Sequence, residues 1–366
     1  MRAALLEASE KPLAIVDDVD IEDPRAGEVR VRVSHCGVCH SDLSLVNGTF
    51  PFVAPTVLGH EAAGVVDAVG PGVTSVAPGD KVVLSPIPAC DNCYWCARAE
   101  YGCCVNAASI SSGLLNDGRT PLSRQGLPVL RGVGLGGFAE FVITAESGAI
   151  KVDDDTPLDV ACVIGCALQT GVGAVLNTAR VPPGASVLVA GAGGIGISIA
   201  QGARIAGATR IIVSDPVAER RAMATSFGAT DVIDPACDDV LAAVRDLTGG
   251  IGVDFAFDAV GAGPVIETCI WATRNGGTTV LVGAGGMDES LTLAPPVLFT
   301  LSERKLMGCL LGSCNGRRDI PRLLALWRAG GLDLEGMITA RRPLAEVNEA
   351  MADMTAGVGI RTVLTV

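Results

Sequence analysis

Cysteine and histidine concentrate in one short stretch of this chain. All three histidines, His35, His40 and His60, fall within residues 35–60, which also contain Cys36 and Cys39. Cys39 and His60 offer a thiolate and an imidazole, both good zinc ligands. A catalytic zinc takes three protein ligands and keeps a fourth position open. The third ligand must come from elsewhere, and Cys166 in VIGCALQTG is the candidate. Taken singly, Cys39 and Cys166 read equally well as small buried apolar residues, and His60 as a core histidine.

A second group is denser. Cys90, Cys93, Cys96 and Cys104 follow the spacing C-x2-C-x2-C-x7-C. Four thiolates in a run with neither strand nor helix period suit a closed, structural zinc. An iron–sulfur cluster is the rival, because short C-x2-C-x2-C runs also hold clusters. Spacing leaves Cys103 and Cys104 open as the fourth ligand.

A third motif concerns a cofactor. ASVLVAGAGGIGISIA reads as a buried strand, a glycine turn and a helix. The turn holds Gly191, Gly193, Gly194, Ile195 and Gly196 in a G-x-G-x-x-G pattern. Gly191 permits the tight turn, Gly193 lets a pyrophosphate approach the backbone, and Gly196 lets helix and strand pack closely. The helix N-terminus then faces the phosphates. Asp215 ends the next strand, 19 residues after Gly196. A carboxylate there accepts the adenosine ribose hydroxyls and repels a 2′-phosphate, which favours NAD over NADP. Arg220 and Arg221 lie just beyond and weigh toward a 2′-phosphate instead, and Arg220 is a candidate cofactor contact.

These groups need elements to hold them. Val29, Val31 and Val33 alternate with charged residues in GEVRVRVSHC, which predicts a half-buried strand. AALLEA, LAIVDDV, residues 59–70 and residues 79–86 read as further strands of a glycine-rich β lobe. Cys36 to Leu45 reads as a turn into a short helix, residues 105–137 as loop, and residues 156–179 as a helix running through Cys166. From the glycine motif onward, strands DVIDP, VDFAFDAVG and GTTVLVGAGG alternate with helices near 238–248 and 264–275, predicting a doubly wound α/β sheet. After residue 300, KLMGCLLGS, a helix at DIPRLLALWRAG and a strand at IRTVLTV break that rhythm, so the tail is expected to return to the first lobe.

Composition bounds the function. The chain has 366 residues, 49% hydrophobic and 18% charged, enough for two domains with sizeable cores. A net charge of -13 argues against nucleic acid or an anionic membrane as partner. The N-terminus has no long apolar run after its basic start, which predicts no secretory signal and a cytoplasmic protein. Among its 13 cysteines, those that cluster should then be read as metal ligands before disulfides. The apolar run Val187 to Ile212 is long enough to raise a membrane span, but Arg204, Arg210 and its glycines favour a buried strand and helix.

With these residues in view, the chain resembles the zinc-dependent medium-chain alcohol dehydrogenases. The likeness runs from GEVRVRV to IRTVLTV and rests on GVCHSD, GHE, the four-cysteine lobe, GC…TG, the G-x-G-x-x-G motif and the closing IRT. The long segment between Cys104 and Phe138 is closest to the liver-type and the glutathione- or mycothiol-linked branches. The resemblance implies an α/β fold: a GroES-like β-barrel catalytic domain, residues 1–167 and 311–366 with a zinc lobe at about 90–104, and a doubly wound Rossmann domain, residues 168–310.

The resemblance also implies roles. Cys39, His60 and Cys166 hold the catalytic zinc, with Glu61 behind it. Asp42 orients His60, and Ser41 receives the substrate hydroxyl proton. His40 and Arg361 contact the cofactor pyrophosphate, and Thr170 and Ile195 press on the nicotinamide. Cys90, Cys93, Cys96 and Cys104 hold the structural zinc, which selects Cys104 over Cys103. Cys36 has no family role. Three positions depart from the pattern. Ser44 stands where many relatives carry a relay histidine, Pro86 where an aromatic often lines the substrate pocket, and His40 where some relatives carry arginine.

The implied function is hydride transfer between NAD and a small-molecule alcohol or aldehyde (or ketone), through a zinc-bound alkoxide, with two zincs per subunit. Alternatives are a reductase of activated C=C or C=N bonds, a dehydrogenase of S-hydroxymethyl thiols, and a non-catalytic zinc- or redox-sensing module. A homodimer is implied through the segment around 299–312, with a tetramer as alternative.

Overall fold

Val29, Val31 and Val33 are buried, and Arg32 is exposed, in the strand Glu28–Gly37. Register shifts after Arg30 and after Val33 break the alternation, so Cys36 and Gly37 are both buried at the strand end. The computed structural model, which describes residues 1–366, places this strand centrally in a seven-stranded sheet. It pairs antiparallel with Glu61–Val69, with Phe141–Ala145 and, over its last three residues, with Arg361–Thr365. A six-stranded sheet built on Ala3–Leu6 accompanies it. The stretch LAIVDDV supplies two short strands, Ala14–Val16 and Val19–Ile21.

The chain divides into two compact units, Met1–Ala167 with Asn315–Val366, and Leu168–Cys314. Residues 311–314, expected with the first unit, belong to the second. Cys314 Sγ donates to Gln169 O at 3.4 Å, and Asn177 Nδ2 donates to Gly312 O at 3.3 Å.

Three further expectations need correction. The segment 105–137 is more than loop. Leu122–Arg124 and Leu127–Arg131 pair as a hairpin through Gln125 and Gly126, with φ of 53° and 79°. Two successive left-handed residues make the turn that suits a two-residue hairpin, and prolines beside the strands mask it in the sequence. The helix read over 156–179 is not continuous. Leu158–Ala161 and the 3-10 turn Cys162–Gly165 end at Cys166, whose φ of -137° and ψ of -74° are not helical, before Ala167–Gly173 resumes. A Cβ on Gly165 would lie 2.6 Å from Leu84 O, so the chain passes here where a larger residue could not. Finally, KLMG is not part of a returning tail. Lys305–Gly308 is the sixth strand of the second unit's sheet, parallel to Thr273–Leu281.

That sheet is parallel throughout, in the order Asp231–Ile233, Arg210–Ser214, Ser186–Ala190, Val253–Asp258, Thr273–Leu281, Lys305–Gly308. Val187, Leu188, Val189, Ile211, Ile212 and Val213 are all buried, as strands covered on both faces require. The order reverses at Ser186–Ala190, and the glycine loop leaves from the C-terminal end of that strand, where open α/β sheets bind ligands. The apolar run 187–212 is thus a strand, the helix Gly194–Ile205 and part of a second strand. No single helix is long and apolar enough to cross a membrane.

Candidate active site

The ligand atoms of Cys39, His60 and Cys166 lie within 4.8 Å of one another, and all three residues are buried. Three local structures bring them there. Cys39 is the N-cap of the helix His40–Val46. His60 follows Gly59, whose φ of +90° and close approach to Phe138 exclude a side chain, and precedes the strand Glu61–Val69. Cys166 sits at the helix break. The missing helical turn frees the chain to aim its thiol at the other two.

Asp42 organises the trio. Its Oδ2 accepts from Cys39 N at 3.3 Å, its Oδ1 accepts from Gly59 N at 2.9 Å, and Oδ1 lies 3.1 Å from His60 Nδ1. An ionised carboxylate only accepts, so the network assigns the imidazole proton to Nδ1. In the neutral ring Nε2 then carries a lone pair. It is buried without a hydrogen-bond partner, an arrangement that is costly unless something else binds there. Burial opposes a charge on His60, but Asp42 and Cys39 hold its pKa well above the ordinary value. The Cys166 thiol, with help from His60 and Arg361, holds Cys39 well below the thiol range. The bond to Cys39 and burial push Cys166 up. The negative surroundings that draw a proton to Nε2 equally favour a divalent cation. By contrast, burial pushes up Cys36 and Cys162, both nearby, which keeps them as inert thiols.

Glu61 lies behind this group. Burial pushes its carboxyl up to about 7, against the pull of Arg361. Oε1 accepts from Ala167 N at 3.1 Å and lies 3.5 Å from Arg361 Nη1, while Oε2 is buried and unpartnered. A Cβ on Gly37 would sit 2.1 Å from that Oε2, so a larger residue there would have to push the carboxylate aside. Arg361, expected at a pyrophosphate, is buried and donates from Nη1 to Val38 O at 2.7 Å. Ser41 Oγ is 3.9 Å from Cys39 Sγ and half-buried. His40 is exposed on the same first helical turn, and Ser44, one turn on, is half-buried. The Gly37 contact and the Glu61–Arg361 pair escaped the sequence reading, because they join residues far apart in the chain.

The second cysteine group also converges, with Sγ atoms of Cys90, Cys93, Cys96 and Cys104 within 4.8 Å of one another. Cys90 Sγ is 3.9 Å from Cys96 Sγ and 3.6 Å from Cys104 Sγ. A tetrahedron with Zn–S bonds of about 2.3 Å separates its sulfurs by roughly 3.8 Å, so these spacings fit one metal ion rather than a multi-iron cluster. Cys104 is buried with its Sγ in the cluster, whereas Cys103 is exposed and outside it. Backbone N–H groups of Cys90 and Asn106 point at Cys104 Sγ (3.4 and 3.5 Å), and that of Cys96 at Cys93 Sγ (3.5 Å). Such donors hold Cys93 at about 6, while burial and neighbouring sulfurs push Cys96 up to about 12. Four thiolates cannot coexist here without a cation.

In the second unit, Gly191 has a φ of +95°, and a Cβ on Gly196 would lie 1.7 Å from Gly191 O. A Cβ on Gly193 would meet nothing within 4 Å, so the loop is open in front of the helix N-terminus. Asp215 is buried and accepts from Ala192 N (2.7 Å) and Val217 N (2.8 Å), which pins the loop and leaves lone pairs for further donors. Thr170 is buried and Ile195 half-buried. Arg220 is half-buried. Arg221 pairs with Asp234 at 2.7 Å. The loop has the room and the donors for a dinucleotide pyrophosphate.

Comparison with known proteins agrees with this geometry. Residues 25–154 match the alcohol dehydrogenase GroES-like domain family, and residues 194–328 the zinc-binding dehydrogenase family. An S-(hydroxymethyl)glutathione dehydrogenase of Escherichia coli O1:K1 / APEC is 38% identical, over 99% of this chain and 99% of that protein. The structure of an alcohol dehydrogenase zinc-binding domain protein from Burkholderia ambifaria superposes with a TM-score of 0.94 at 36% identity, covering 100% of this chain and 98% of the other. Benzyl alcohol dehydrogenase from Acinetobacter calcoaceticus gives 0.93 at 29% identity, over 100% and 99%. The chain belongs to the zinc-dependent medium-chain alcohol dehydrogenase family. It is an oxidoreductase acting on small-molecule alcohols, with zinc and NAD as cofactors.

Proposed function

We propose that the protein oxidises primary alcohols of the form R–CH2OH to aldehydes, and reduces the aldehydes, at the Cys39, His60, Cys166 centre. The observation that carries this is the buried, unpartnered His60 Nε2 beside two thiols, with Asp42 fixing the opposite ring nitrogen. Zinc there supplies the Lewis acidity that makes an alcohol hydroxyl acidic near neutral pH, and NAD supplies the hydride acceptor.

The chain's own residues do the remaining work. Asp42 keeps His60 in the tautomer that presents Nε2. Ser41 accepts the substrate hydroxyl proton. Its side chain is half-buried, between the cluster and water. Ser44 cannot continue a relay as an imidazole would, so Ser41 would pass the proton on to water. Glu61, with Arg361 beside it, tunes the negative charge behind the ligands. The loop at Gly191–Gly196 and Asp215 bind NAD. Cys90, Cys93, Cys96 and Cys104 hold a second, structural zinc.

Both functionally named relatives act on a hydroxymethyl group, in one case on a thiol adduct and in the other on an aryl carbon, which supports this substrate class. The similarity to S-(hydroxymethyl)glutathione dehydrogenase favours thiol adducts as a second reading. We further propose a cytoplasmic homodimer. The edge strand Lys305–Gly308 and the preceding helix Pro296–Leu301 expose Leu298, Leu301, Met307 and Leu310, a surface suited to a second copy. Light scattering checks the assembly.

The test is NADH formation by zinc-loaded protein with benzylic, aliphatic and S-hydroxymethyl thiol substrates, alongside Cys39→Ser. Turnover of primary alcohols that is lost in Cys39→Ser is expected. Turnover that persists in the variant would remove the proposed centre.

A further inference from the structure

The second unit has a cavity of about 420 Å³ that none of this chemistry uses. It lies where the strands Val253–Asp258, Thr273–Leu281 and Lys305–Gly308 begin, whereas the glycine loop lies at the other, C-terminal end of the same parallel sheet. Its walls carry Arg245, Arg274 and Arg304 and no carboxylate.

The three arginines are unequally matched. Arg304 donates from Nε and Nη2 to Thr273 O (3.2 and 2.8 Å) and from Nε to Thr273 Oγ1 (3.2 Å). Its guanidinium lies over the Trp271 ring, 5.1 Å from the centroid. These contacts fix its direction without neutralising it. Arg245, in the last turn of the helix Val240–Leu247, forms no ion pair. Arg274 is paired through Nε with Asp254 Oδ1 at 2.7 Å. Three guanidinium groups therefore face one carboxylate, in a chain whose net charge is -13. Burial and the charge of Arg245 hold Arg304 below the ordinary guanidinium value, so the two feel one another. The loop's own donors are used: Gly250 N binds Arg245 O at 2.7 Å and Gly252 N binds Thr248 Oγ1 at 2.9 Å. Recognition falls to the side chains. Guanidinium forks match phosphate oxygens in pairs.

We propose that this cavity binds a phosphate-type dianion, either free phosphate or the phosphate of a small monoester, with Arg245 and Arg304 as its principal ligands.

The experiment uses the full, zinc-loaded chain saturated with NAD, so that the glycine loop is already filled. Inorganic phosphate and phenyl phosphate are titrated calorimetrically at constant ionic strength, with chloride as the control. Saturable binding at one site per chain is expected, weakened ~10-fold or more in Arg245→Gln and abolished in Arg245→Gln/Arg304→Gln. Arg245 is exposed on its helix, so the single variant keeps its fold even if Arg304→Gln does not. Tighter binding of phenyl phosphate would identify a monoester, and equal binding the free ion; both uphold the site. Heats no larger than those of chloride, or unchanged affinity in Arg245→Gln, would overturn it.

Discussion

At Cys39, His60 and Cys166 the side chains come from a helix cap, a strand entrance and a helix break, all buried in the first unit. At Cys90, Cys93, Cys96 and Cys104 they come from one loop of 3-10 turns, and Cys90 and Cys93 remain partly exposed. The first group is held by elements that exist for other reasons, including the core around Phe138 and the Asp42 network. Its three ligand atoms lie within 4.8 Å of one another with all three residues buried. The second has little except its sulfurs and a few N–H donors to order it. In one group the fold positions the ligands; in the other the ligands, once joined, make the fold.

That contrast can be broken experimentally. The largest effect is expected from His60→Ala, which should lower kcat/KM by on the order of 10³-fold, the scale of losing a Lewis acid worth several kcal/mol. Metal analysis should then find one zinc per chain instead of two, and loss of both would refute the independence of the groups. Next, Cys96→Ser should depress the unfolding temperature by roughly 10 °C and open residues 90–104 to proteolysis, as loss of a folding-coupled metal predicts. An unchanged melting curve would show that the lobe orders itself. Asp42→Asn should weaken zinc affinity or turnover ~10–100-fold, because one amide oxygen cannot serve the Cys39, Gly59 and His60 donors that two carboxylate oxygens serve; competition with a chelator measures this. The smallest effect is expected from Cys103→Ser, within about 0.5 kcal/mol in denaturant unfolding, whereas Cys104→Ser should behave like Cys96→Ser.

The two groups were also unequally legible in the sequence. The lobe declares itself through local spacing, and the glycine motif through its place between a strand and a helix, since each is a short-range pattern with one geometric purpose. The buried trio spans residues 39–166; ligand chemistry made it a candidate, but each member alone reads equally well as a core residue, and likeness to a family was needed to tie Cys166 to the other two. Nothing in the periodicity of residues 156–179 marks the break at Cys166, because apolar residues continue on both sides, and the close approach of Leu84 O to Gly165 comes from a part of the chain far away in sequence. The hairpin at Leu122–Arg131 hid behind glycines and prolines that read as loop. Lys305–Gly308 lacked its rhythm because it is short and, as an edge strand, only partly buried. Arg361 could be placed near the site by motif, but its packing on Val38 and Glu61 belongs to tertiary structure.

The pairing of Arg361–Thr365 with the end of Glu28–Gly37 bears on how the protein is made. Arg361 reaches the Val38 carbonyl across 323 positions. At ribosomal speeds of roughly 5–20 residues per second, that interval is on the order of tens of seconds. Throughout it, the end of the strand at Cys36 lacks its Arg361–Thr365 partner and Glu61 lacks its guanidinium, while the compact unit Leu168–Cys314 is completed before Arg361 is made. The inserted unit is therefore expected to form before the first unit closes, which must wait for Arg361–Thr365.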